Sequence, residues 1–118
     1  MDNTFDETKV TVLAVGQVIA PAAGQEAWWP EVLVHRVSAE RASICYILHL
    51  GEDGRLVANR LYNQTTKVGD LIIVDSPLPI LKKLAAAVLA NRWKEDQPEV
   101  LIDSAKEVLA RRIKEEEG

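Results

Sequence analysis

The stretch SICYILHLGEDGRLVANRLY, residues 43–62, decides the fold. Two runs rich in β-branched, aromatic and aliphatic residues flank Gly51-Glu-Asp-Gly54, and Asp53-Gly54 is a pair that accepts the positive φ a tight turn needs. The pattern predicts an antiparallel hairpin of Ser43–Leu50 with Arg55–Tyr62. With Asp53-Gly54 as the turn, one face holds Ile44, Tyr46, Leu48 and Leu50 together with Val57, Asn59 and Leu61. The other holds Cys45, Ile47 and His49 with Leu56, Ala58, Arg60 and Tyr62. The first is a core face. The second is also too apolar to meet water along its whole length, so the chain's own helices or another subunit must cover it.

Working outward, Lys9–Ala20 (KVTVLAVGQVIA) reads as a strand apolar on both alternations, with Gly16 marking a bulge or sharp bend. Pro21–Pro30 is a loop and Glu31–Ser38 a further strand. Asp70–Asp75 follows the Val68-Gly69-Asp70 turn as the fifth. The string Val68-Gly-Asp-Leu-Ile-Ile-Val74 resembles the entry to a late strand in small SH3-like and OB-like barrels, where Gly permits the turn and Asp closes it. That resemblance covers seven residues and implies a small barrel, with no function attached.

Beyond Ser76 the period changes. Ile80, Leu81, Leu84, Ala85, Val88, Leu89 and Trp93 form one helical stripe, and Pro79 suits its first turn. Asp96 and Glu99 have capping-box spacing around Pro98, which predicts a break and a second helix carrying Val100, Leu101, Ala105, Val108, Leu109 and Ile113. Glu107 with Arg111, and Arg111 with Glu115, are candidate i,i+4 pairs. A shift of 20 residues aligns Leu81, Ala85, Val88 and Leu89 with Leu101, Ala105, Val108 and Leu109. A duplicated helix would give this, and so would two amphipathic helices drawn from few residue types. Glu115, Glu116 and Glu117 oppose the helix dipole, so the last turn should fray unless something holds it. The expectation is therefore one α+β domain: an N-terminal arm at 1–8, a five-stranded, mainly antiparallel β-barrel (SH3/OB-like) or bent sheet over 9–76, and a helical hairpin over 77–118.

Length and composition narrow the function. The 118 residues carry a net charge of −4, are 47% hydrophobic and 27% charged, and suit a single globular domain. The whole −4 lies in residues 1–76, with ten acids against six bases; residues 77–118 balance at eight and eight. An acidic sheet half argues against coating duplex nucleic acid. No run long and apolar enough for a membrane span and no secretory signal is visible, which points to an intracellular setting. One cysteine excludes an internal disulfide, and Cys45 with His35 and His49 falls short of a usual zinc set. No cofactor or metal is expected.

No enzyme signature emerges. Satisfied structural histidines and a buried, inert Cys45 are the expected roles for these three, and a small hydrolase or nuclease working through His35 or His49 is the least favoured alternative. Trp28 and Trp29 suit a plug or interface more than a stacking platform. The reading that follows is a non-catalytic structural or adaptor subunit that self-associates or joins another protein of a larger assembly. By analogy with small barrels bearing extended arms, that includes a phage or virion component. Candidate interface residues are Trp28, Trp29, Ile47, Leu56, Tyr62, Leu101, Val108, Leu109 and Ile113. The alternative is an OB-like binder of single-stranded nucleic acid using Trp28, Trp29, Arg55, Arg60 and Lys67.

Overall fold

The computed structural model describes residues 13–21, 30–38, 44–62 and 71–118, with only the backbone of Leu61, Tyr62 and Leu71. Five strands, β1 (Val18–Pro21), β2 (Val32–Val37), β3 (Ile44–Leu50), β4 (Leu56–Tyr62) and β5 (Leu71–Ile73), precede two helices, α1 (Leu78–Leu89) and α2 (Glu99–Glu117). The sheet order is β4-β3-β2-β1-β5 and all its strand pairs are antiparallel. The α+β class and the bent sheet hold, but the sheet is not closed into a barrel. β4 and β5 are opposite edges, and closure would require them to pair. Among the described residues β5 pairs with β1 alone, and part of β4's outer edge is taken by the segment joining the helices.

The central hairpin differs from expectation by one residue. Leu48 pairs with Ala58 and Leu50 with Leu56. Gly51 N–H donates to Arg55 O at 2.8 Å, which leaves Glu52-Asp53-Gly54 as a three-residue loop rather than a two-residue turn. Gly54 takes φ +78°, the left-handed position such loops reserve for glycine. Asp53 accepts Arg55 N–H at 3.0 Å, a bond that holds its carboxyl below the usual range. The extra residue flips β4, so Leu56, Ala58 and Arg60 share a face with Tyr46, Leu48 and Leu50.

That face carries the helices. Val18, Leu33, Leu48 and Leu56 pack with Leu81, Leu84, Ala87, Val88, Ala105, Val108 and Leu109 in one core. The opposite face gathers Leu13, Ile19, Val32, Val34, Cys45 and Ile47, each no more than 3% exposed. These six are buried within one copy of the chain, while Ile73, paired with Ile19 on the same face, is 38% exposed.

β1 begins at Val18, later than the expected Lys9–Ala20; residues 9–12 and the 1–8 arm lie outside the described residues. Ala14–Gln17 is a turn instead, closed by Gln17 N–H on Ala14 O at 3.2 Å and Ala14 N–H on Gln17 Oε1 at 2.8 Å. Gly16 takes φ +96° there, with Arg112 Nε donating to its carbonyl at 2.8 Å. A Cβ at Gly16 would stand 3.1 Å from Arg111 Nη2 and 3.2 Å from Arg112 Cδ, so both backbone angle and close approach favour glycine.

α1 stops four residues before Trp93. Asn91 at φ +56° lets Arg92 N–H reach Ala87 O and Asn91 N–H reach Val88 O, each at 3.0 Å, the paired bonds of a Schellman ending. The chain then turns along β4: Leu56 N–H donates to Arg92 O at 2.7 Å and Lys94 N–H donates to Leu56 O at 2.9 Å. α2 starts after Pro98 without a side-chain cap, so the expected Asp96/Glu99 box does not form. Arg112, rather than Arg111, pairs with Glu115 at 3.1 Å and Glu116 at 3.2 Å. Lys82 meets Glu117 at 3.2 Å, so all three terminal glutamates are held by this chain's own cations and α2 runs to Glu117.

The 20-residue likeness of the helices does not extend to their environments. Leu89 is 80% exposed where its counterpart Leu109 is 2% exposed. Leu109→Ala is expected to cost about 2–5 kcal/mol, and Leu89→Ala to stay within about 0.5 kcal/mol. Urea denaturation at low micromolar protein concentration measures both, and equal losses would contradict the packing described.

Candidate functional site

A polar cleft of about 340 Å³ opens where the helices stop covering the sheet. α2 packs across β2, whereas α1 touches β4 only lightly, so the far half of the helix-side face is left uncovered. His35, Tyr46, Ala58 and Arg60 form the floor, Asn59 lies at the sheet edge, and Glu95, Gln97 and Leu101 make the wall. Alternation from Leu33 sets His35 on this face, beneath α2, and the bulge between Val34 and Arg36 brings Arg36 opposite Tyr46.

His35 is 3% exposed, and its Nδ1 lies 2.8 Å from Ser104 Oγ. The Ser104 hydroxyl donates to Leu101 O at 3.0 Å. With the hydroxyl hydrogen assigned to Leu101 O, the Ser104 oxygen accepts and Nδ1 carries the proton of the neutral imidazole. Burial lowers the His35 pKa from 6.5 to about 4, with the Arg36 charge adding to the effect. At neutral pH the ring is uncharged and Nε2 is a bare acceptor. So weak a base is suited to receiving a hydrogen bond rather than abstracting a proton.

The second feature is an apolar groove of about 220 Å³ between α1 and α2, on the side away from the sheet. Ala85, Val88 and Leu89 line one bank, and Lys106, Leu109, Ala110 and Ile113 the other. The alanines keep it shallow at its centre. Leu89 stands exposed on its rim.

The structure disperses the residues singled out from sequence. Ile47 and Leu56 are each 1% exposed, in different cores, because the shifted hairpin register sends Leu56 beneath the helices. Val108 and Leu109 also pack into the helix-side core, and Leu109 lines the groove as well. Leu101 is half-buried in the cleft wall, and half-buried Ile113 lines the groove. Trp28, Trp29 and Lys67 lie outside the described residues, and the side chain of Tyr62 is not described. Arg55 sits at the hairpin loop beside Asp53 at 3.6 Å, and Arg60 at the far end of β4, so they form no common patch.

His35 and Cys45 belong to opposite faces of the sheet, which separates the pair a Cys/His nucleophile would need. His49 Nδ1 donates to Leu50 O at 3.2 Å. Among the described residues no three His, Cys, Asp or Glu side chains gather into a metal-binding group, and no helix is long and apolar enough to cross a membrane. Sequence reasoning missed Tyr46, Asn59, Glu95 and Gln97 as neighbours. His35 and Ser104 are 69 positions apart, and no local pattern joins them.

The buried imidazole makes stability pH-dependent. Between pH 6.5 and 4 the unfolded chain binds a proton at His35 that the folded chain does not. Stability is therefore full above pH 6.5 and falls toward pH 4, by at most about 3 kcal/mol. His35→Asn, which keeps a side-chain N–H and does not titrate, should show a smaller fall in urea midpoint between pH 7 and pH 4.5. An identical fall in both proteins would show that His35 is not the group responsible.

Compared with family models, curated proteins and solved structures, this chain matches none.

Proposed function

We propose that the chain is a non-catalytic structural or adaptor subunit that self-associates through the outer face of its helical hairpin. The observation that carries this reading is the apolar groove with Leu89 80% exposed on its rim. Large apolar side chains beside a groove favour a protein contact over water.

The pattern along α2 favours a second copy as the occupant. Lys106, Ala110, Ile113 and Glu117 recur at spacings of 4, 3 and 4, a single seam on the groove side. Laid antiparallel on itself, that seam is self-complementary. Lys106 meets Glu117 of the second copy, and Ala110 meets Ile113, at both ends of a two-fold axis. Glu117 already pairs with Lys82 in one copy, so association adds a cation to a carboxylate that is half exposed. The small alanines Ala85 and Ala110 allow close approach.

Lys106→Glu or Glu117→Lys alone should weaken self-association about tenfold, and the double swap should restore it, because opposite charges then face each other again across the 106–117 pair. Sedimentation equilibrium from 5 to 200 µM reads the constant. A wild-type chain monomeric throughout, or single swaps without effect, would contradict the reading.

A further inference from the structure

Past Leu56, the polar cleft borders a sheet edge that is unpaired among the described residues. β4 is terminal in the sheet, and Leu56 turns both its N–H and its C=O outward to Arg92 and Lys94. Alternation along an antiparallel strand then turns the N–H and C=O of Ala58 and Arg60 outward as well, while Val57 and Asn59 face β3. Among the described residues no backbone group pairs with Ala58 or Arg60 on that side. After Lys94 the connecting segment leaves the strand, and Glu95 and Gln97 stand across from it, walling both the cleft and a smaller hollow beside Leu56–Asn59.

We propose that this wedge is a binding site for an extended peptide, which adds as a strand beside Ala58–Arg60 and seats one donor-bearing side chain over His35. Three features specify that occupant. The outward N–H and C=O pairs at alternate residues match the backbone spacing of a strand and of little else. The connector's bonds to Leu56 show that this edge accepts an added segment, and the peptide continues that pairing past the point where the connector departs. The cleft floor offers His35 Nε2, an acceptor that makes no hydrogen bond among the described residues, on a side chain only 3% exposed. A Ser, Thr, Asn or Lys side chain supplies the missing donor; an aliphatic one leaves Nε2 unpaired. Arg60 and Glu95 at the rim oppose each other in charge, which disfavours a strongly charged ligand such as a nucleotide. The wedge shares no residue with the hairpin groove, so this proposal stands or falls apart from self-association.

The test is an NMR titration of the intact chain with acetylated, amidated pentapeptides Thr-Val-Xaa-Val-Thr, in which Xaa is Ser, Asn, Lys or Leu. The donor-bearing peptides should shift the amides of Ala58 and Arg60 and the His35 Nε2 resonance. The Leu peptide should bind at least fivefold more weakly. A peptide N-methylated on either side of Xaa, unable to pair, should bind at least tenfold more weakly still. Arg60→Pro, which removes an outward N–H without breaking the ladder to β3, should abolish binding that Arg60→Ala only reduces. Absence of shifts at 5 mM of all four peptides would overturn the proposal. So would equal binding of the N-methylated form, shifts confined to other residues, or binding of adenosine monophosphate in preference to every peptide.

Discussion

Two backbone hydrogen bonds at Leu56, one from its N–H to Arg92 O and one to its C=O from Lys94 N–H, govern how the helical half meets the sheet. Their own contribution is modest, on the order of 1 kcal/mol each. Burial of Leu81, Leu84 and Leu109 against the sheet supplies more, about 1.5–3 kcal/mol per side chain. Apolar area is what stabilises the docked hairpin, and the bonds at Leu56 set its register. They fix where α1 must end, which strand edge the connector follows, and where it departs. Trp93, between the two bonded residues, packs against the core with its indole nitrogen buried and unpaired among the described residues, a polar cost that the surrounding contacts outweigh.

The two surface features follow from that joint. Because the connector follows β4 at one residue only, the edge beyond it is unpaired among the described residues and the polar cleft forms beside it. Because both helices lie on one side of an open sheet, their outer face has no partner in a single copy, and the groove with Leu89 remains. The two differ in chemistry: one offers a neutral imidazole acceptor, amides and opposed charges, the other alkyl groups with a cation and a carboxylate at its ends. Neither presents a nucleophile beside a competent base.

Much of the fold was legible in the sequence, and the failures have identifiable causes. Periods of 2 and 3.6 located β2 to β5 and both helices, because burial of one face dictates those spacings. The hairpin faces were misassigned because Asp53-Gly54 suits either a two-residue turn or the end of a three-residue loop, and the single residue between them inverts a strand. α1 was overextended through Trp93 because the apolar stripe continues past Asn91, while the residue that ends the helix is a left-handed asparagine rather than glycine. Barrel closure depended on strand pairing between distant segments, which periodicity does not encode. The cleft was hardest to see: His35, Tyr46, Arg60, Gln97 and Ser104 come from five different elements or connections, and only the folded chain brings them together.

Disulfide trapping tests the proposed self-complementary pairing of α2 most directly. Ala110→Cys and Ile113→Cys place thiols on the groove face, while Cys45 is buried and out of reach. An equimolar mixture of the two variants, oxidised mildly at 50 µM, should yield mainly the mixed 110–113 disulfide, well above either homodimer. Homodimers in statistical proportion with the mixed species, or no covalent dimer at all, would contradict the antiparallel pairing and the subunit role built on it.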